Sequence, residues 1–178
     1  MLRPLHAPLT AALLAFASAP LAQAGDYDQA LFVLSRAFPE ARVIGVFYDQ
    51  NATLLNRLEF EGSTFKDLGL DIKLIPLDGS KKVQPETVRK LCMQARVQAV
   101  LFMEDDSLIK PGSPAAITII QGAGRIPMAA IHASWLDKGA WFAVGPQTKG
   151  LQIAAKVDKP ETREALRRAG EALPKEAK

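Results

Sequence analysis

The chain of 178 residues carries 22 Lys plus Arg against 19 Asp plus Glu, a formal charge of +3. That near-neutral balance gives no electrostatic case for nucleic acid, and an aromatic content of 7% argues against a base-stacking surface. Cys92 is the single cysteine, so no disulfide can form within the chain.

The first element is a targeting pattern. Arg3 precedes an apolar run from Leu9 to Leu21 that holds Ser18 and Pro20, and Ala22, Gln23 and Ala24 fit the small-x-small cleavage rule. The run is too short to span a bilayer, so it reads as a signal peptide over residues 1–24, with the mature chain starting near Gly25 in the periplasm. No cysteine follows the cleavage site, so lipid attachment there is not expected, and no membrane span is expected after cleavage. Loss of Arg3 with that segment brings the charge still closer to neutral. The remaining chain is long enough for one domain with a real core.

Beyond the signal, strand and helix patterns alternate. A helix from about Tyr27 to Phe38 sets Leu31, Leu34 and Phe38 on one side and ends at Pro39. Arg42 to Tyr48 is a near-continuous apolar run, as in a strand buried on both faces of a parallel sheet. A helix from Ala52 to Leu68, striped by Leu54, Leu58, Phe65 and Leu68, is capped by Gly69, and Ile72 to Leu77 is the second strand. Asp78 to Lys82 is a loop, and Pro85 opens a helix whose apolar face carries Val88, Leu91, Cys92 and Ala95. On that face Cys92 reads as a small buried hydrophobe rather than a reactive thiol.

Gln98 to Met103 is the third strand and ends in Glu104, Asp105 and Asp106. After the break at Pro111 to Pro114 a helix runs to Gly122 and Gly124, whose glycines suit a helix cap better than a phosphate loop. The most informative stretch follows, from Arg125 to Gln147. A short strand (Met128 to Ile131) leads into a polar corner at His132 and Ser134 and a turn from Leu136 to Gly139. A second strand (Ala140 to Val144) then reaches Gly145 and Pro146, which start a helix over Gln147 to Val157. The charged segment from Asp158 to Lys178 reads as an exposed helix over Glu161 to Leu173 with a frayed end.

Five strands joined by helical connections predict an α/β fold, a flavodoxin-like doubly wound parallel sheet of order 2-1-3-4-5. The chain divides into the signal peptide (1–24), one lobe (25–157) and a charged C-terminal helix and tail (158–178). In such a sheet ligands bind beyond the carboxyl ends of the strands. There stand Asp49, Gln50 and Asn51; Glu104, Asp105, Asp106 and Ser107; His132, Ser134 and Trp135; and Gly145, Gln147 and Thr148. Polar residues also end strands because helix caps need them, which explains Asn51 and Ser113 well and His132 poorly.

Three segments together resemble the ABC-transporter substrate-binding proteins that include aromatic amino-acid binders. Arg125 to Gln147 is similar to that family's wall of the ligand cleft, an Ile-Pro-Val run, a spacer, Gly-Ala and a further Gly. Leu31 to Asn51 looks like its Leu-Pro-Ala-Gly-Tyr-Asn segment, and Val97 to Met103 like its third strand. The resemblance spans roughly Ala30 to Lys156 and implies one lobe of a periplasmic-binding-protein fold that holds a small organic, amino-acid-like ligand. It implicates Asp49, Asn51, Glu104, Asp105, Asp106, Ser107, His132, Ser134 and Trp135. Trp135 would stack on a flat ligand or pack in the core, and His132 and Ser134 would hydrogen-bond. Trp141, inside a strand, reads as core.

Two departures stand out. The family's single acid or amide after strand three is three acids here, and what resembles the second of two lobes follows the signal directly, as in a stand-alone lobe. One lobe cannot close around a ligand, so a partner surface is expected: a homodimer mate, an ABC permease or a membrane sensor. The rival function is an interaction protein that docks a membrane receptor without binding a ligand. A receiver-like Mg²⁺ site around Asp49 and Asp105 or Asp106 fits less well, because paired acids after strand one and a Lys-Pro after strand five are lacking. No Gly-x-Ser-x-Gly elbow, phosphate loop or Cys/His cluster appears, so neither an enzyme nor a cofactor or metal site is expected.

Overall fold

The computed structural model of the protein describes residues 27–51, 67–103, 106–145 and 148–173. Six strands form a single sheet: β1 (Val43–Asp49), β2 (Asp71–Leu77), β3 (Ala99–Phe102), β4 (Met128–Ala130), β5 (Phe142–Ala143) and β6 (Gln152–Ile153), in the order β2-β1-β3-β4-β5-β6. The first five are parallel, with Val43 opposite Asp71, Ile44 opposite Ala99, Val100 opposite Met128 and Ala129 opposite Phe142. The α/β class and the 2-1-3-4-5 order read from the sequence are therefore present. The winding goes outward from β1 to β2 and then crosses back to β3 on the other side, which makes the β1–β3 junction the switch point.

The apolar runs explain the layers. In β1, Ile44 and Val46 face one core cluster and Phe47 the other, so the strand needs cover on both sides. On the first face lie α1 (Asp28–Ala37), through Leu31, Val33 and Leu34, and α4 (Pro160–Glu171), through Leu166 and Ala169. On the second lie α2 (Pro85–Ala95), through Val88 and Cys92, and α3 (Pro114–Ala123), through Ala116 and Ile119. Trp141 packs edge-to-face on Phe38, with ring centroids 5.9 Å apart.

Helix ends follow local chemistry. Pro85, Pro114 and Pro160 each stand in a first turn, where a missing N–H loses nothing. Ser113 Oγ accepts from the Ala116 N–H at 3.2 Å, and Gly124 closes α3 with a φ of 75°. The Ala52 to Leu68 helix falls almost wholly outside the described residues.

Two expectations are corrected. No helix runs through residues 148–157. Instead Gly150 turns with a φ of 77° and the chain returns as β6, antiparallel to β5, pairing Phe142 with Ile153 and Ala143 with Gln152. A positive φ at Gly150 is incompatible with a continuous helix, and Leu151 and Ile153 pack against the first core cluster. The C-terminal helix, expected to be exposed, buries Leu166 and Ala169 and docks beside α1. Its outer face carries the network Arg167 to Glu164 and Glu171, and Arg168 to Glu164, and these guanidiniums lower the Glu164 carboxyl to about 2. Among the described residues no helix is long and apolar enough to cross a membrane.

The approach of α3 to α2 depends on Gly122. A β-carbon there would lie 2.5 Å from the Pro85 carbonyl oxygen and 2.5 Å from Val88 Cβ. The Gly122→Ala variant is expected to lose about 1–3 kcal/mol of stability from overpacking, seen as a lower urea midpoint with an unchanged slope.

Candidate functional site at the strand ends

The carboxyl ends of β1 and β3 are tied together by one side chain. Asp106 is completely buried and points back along the sheet. Its Oδ2 accepts from the Asp49 N–H at 2.8 Å, and its Oδ1 accepts from the N–H groups of Leu108 at 2.9 Å and Ile109 at 2.8 Å. One carboxyl thus satisfies backbone donors on both sides of the switch point, where a ligand would otherwise find them free.

Asp49, also buried, turns its Oδ1 to the Asn51 N–H at 3.0 Å, and Ser107 Oγ donates to its Oδ2 at 3.4 Å. The loop after β2 closes on this pair. A β-carbon at Gly79 would come within 2.8 Å of Asp49 Oδ2, so glycine alone allows the approach. Asp78 Oδ1 accepts from the Ser80 N–H at 3.0 Å and Asn51 Nδ2 at 3.0 Å, and its Oδ2 pairs with Lys81 Nζ at 2.8 Å. Hydrogen bonds from Lys81, Ser80 and Asn51 hold the Asp78 carboxyl well below the usual carboxylate range, and Asp78 in turn raises the Lys81 ammonium.

Asp78, Ser80 and Lys81 are the part of this face that the sequence reading passed over as a plain loop. The Asp-Gly-Ser order directly after a strand was the available signal, since an Asp at that point bonds the backbone two residues on.

His132 and Ser134 stand together at the end of β4. His132 opens the 3₁₀ helix Ala133–Lys138, and its Nδ1 accepts from the Ser134 N–H at 3.2 Å and lies 2.9 Å from Ser134 Oγ. An accepting Nδ1 places the ring proton on Nε2. Helix capping therefore accounts for His132 after all, with imidazole in the place usually held by Asp or Ser.

Trp135 does not join this pair. It is 1% exposed and stacks on Phe102, with centroids 4.1 Å apart and planes 11° from parallel. Of its two readings, the structure places it in the core. At the end of β5, Thr148 Oγ1 accepts from the Gly145 N–H at 2.7 Å and donates to the Gly145 oxygen at 2.8 Å. Glu104, Asp105 and Gln147 lie outside the described residues. Among the described residues no group of three His, Cys, Asp or Glu is placed to hold a metal ion.

The face thus holds one joined cluster, Asp49, Asn51, Asp78, Asp106 and Ser107, and a separate pair, His132 with Ser134. This architecture is a doubly wound α/β sheet with its polar cluster at the switch point. Among solved structures it is similar to an ABC domain in complex with L-Trp from Streptococcus pneumoniae, with 15% sequence identity and a TM-score of 0.51 over 66% of this chain and 39% of that one. The chain therefore spans well under half the length of that protein.

A conserved domain protein from Vibrio cholerae (15% identity, 80% of this chain and 42% of that one) has a TM-score of 0.44. An L-threonine transaldolase from Pseudomonas fluorescens (13% identity, 82% and 38%) has the same score, and neither likeness is close enough to carry an argument. No family model matches the chain, and no curated protein matches it.

Proposed function

We propose that the chain is a solute-binding lobe of the ABC-transporter substrate-binding kind, exported to the periplasm by residues 1–24, that takes a small amino-acid-like ligand at its strand ends. The observation that carries this reading is the doubly wound fold shared with an ABC domain that holds L-Trp. Beyond the carboxyl ends of its strands, where ligands of such sheets bind, this chain presents Ser134, His132, Ser107 and Asn51. Its role is binding and presentation rather than catalysis. The ligand's far side would be covered by a homodimer mate, an ABC permease or a membrane sensor, since a single lobe supplies one wall.

A second reading has its own support. Asp106 and Asp49 are engaged inside the molecule and Trp135 is in the core, which leaves few free groups for gripping a ligand. That favours a docking protein for a membrane receptor, using the same face without a solute.

Isothermal titration of the folded chain with L-tryptophan and the other amino acids separates the two. The solute-binding reading expects a Kd of about 1 mM or tighter for at least one of them, and about tenfold weaker binding after His132→Ala with Ser134→Ala. Absence of heat with every amino acid would leave the docking reading.

A further inference from the structure

A groove lies at the opposite end of the sheet from the strand-end face. It has a volume of about 360 Å³ and is lined by residues from α2 (Arg89, Cys92, Met93), the turn after it (Arg96, Val97, Gln98), the end of α3 (Gly122, Ala123) and Ile126. That volume is within the range of small-molecule sites.

Apart from the Cys92 thiol, the polar side chains in its lining offer donors. Gln98 Oε1 is already occupied by the N–H groups of Arg42 at 2.8 Å and Val43 at 3.1 Å, which leaves its amide nitrogen as a donor. The other polar side chains in the lining are the two guanidiniums, and no carboxyl lines the groove.

These arginines differ from most others in the fold. Arg42 bonds the Leu68 carbonyl, Arg163 the carbonyls of Val157, Ala154 and Ala155, Arg167 and Arg168 bond Glu164, and Arg36 lies over Phe32. Among the described residues the side chains of Arg89, Arg96 and Arg125, the last adjoining Ile126 in sequence, make no hydrogen bond, ion pair or ring contact. Arg89 and Arg96 line this groove.

Arg96 is also the one described non-glycine residue with a positive φ, 55°. It takes the place after α2 where the Arg96 N–H bonds the Met93 oxygen and the Val97 N–H bonds the Cys92 oxygen, a position that ordinarily selects glycine. An arginine held there in a disfavoured conformation brings its guanidinium to the groove at the expense of backbone ease. Around the donors, Val97, Ala123, Ile126 and the Met93 side chain, 72% exposed, form an apolar floor and rim.

We propose that this groove is a binding site for a small anionic amphiphile, a carboxylate or phosphate joined to an apolar body, with Arg89 and Arg96 on the anion and Gln98 donating beside them. It is independent of what the strand-end face binds.

Octanoate, its neutral analogue octanamide, and inorganic phosphate, each titrated into the full chain and followed by amide NMR, test it. Octanoate should shift the amides of Arg89 to Gln98 and Gly122 to Ile126 and weaken with added salt, with octanamide about tenfold weaker. Arg89→Ala and Arg96→Gly should each weaken octanoate about tenfold. Because glycine suits the left-handed position, Arg96→Gly should keep or raise the melting temperature, which separates lost binding from lost fold. Equal binding of octanamide, unaltered affinity in both arginine variants, or shifts confined to other surfaces would overturn the site. Phosphate binding as tightly as octanoate would overturn the part assigned to the apolar floor.

Discussion

Replacing Trp135 with alanine is expected to lower the stability of the folded chain by about 3–5 kcal/mol. The indole is almost fully enclosed, and its stack on Phe102 adds aromatic pairing to the area it buries. Chemical unfolding should show a markedly lower urea midpoint, while Trp135→Phe should lose far less because it keeps a ring against Phe102. The same pair of variants decides between the two roles open to a tryptophan at a strand end. A ligand-stacking residue would leave the midpoint unchanged and alter affinity. Here the midpoint should move first, and affinity at His132 and Ser134 only as far as the 3₁₀ helix loosens.

The second large effect is expected at Asp106. Asp106→Ala removes the acceptor for three backbone N–H groups, those of Asp49, Leu108 and Ile109, at a site with no exposed surface. Leaving buried donors unsatisfied should lower stability by about 3 kcal/mol or more. Asp106→Asn should recover only part of this. Its single carbonyl oxygen can serve either the β1 side or the loop side, while its NH₂ group then faces a donor. Hydrogen exchange provides the local reading: the Asp49 amide should lose protection in both variants, before the amides at the centre of β1 do. Unchanged protection at Asp49 would show that the bond across the switch point is dispensable.

Much of the fold was legible because burial writes itself into the chain. The β1 run is apolar on both faces, Pro85 and Pro114 mark helix starts, and Gly124 marks an end. Residues 148–157 were misread because β6 is only two residues long, too short for alternation to register. The decisive signal was Gly150, whose turn converts Leu151 and Ile153 from a helical stripe into a returning edge. The buried side of α4 was present as Leu166, Ala169 and Leu173 at helical spacing, but the surrounding charges hid it.

The site was less legible for a different reason. A polar residue at a strand end is equally suited to a ligand and to a backbone amide, and only coordinates show which it serves. Asp106, His132 and Asp49 turned out to serve backbone amides.

The two borders of the sheet have unequal consequences for assembly. On one side β6 is so short that it offers almost no row of unpaired backbone groups. On the other, β2 is seven residues long, and the Asp71 N–H and Leu77 carbonyl both turn inward to bond the neighbouring chain segments. Alternation then turns Ile72, Leu74 and Pro76 outward, so the proline deletes an N–H from the open side, and the Asp71–Lys73 ion pair stands charged at its start. Among the described residues both borders are poor templates for another strand. A companion of this chain, whether a second lobe, a twin or a membrane protein, is therefore expected to meet it through side chains on its faces and ends, where partners can be exchanged and chosen, rather than by prolonging its backbone ladder.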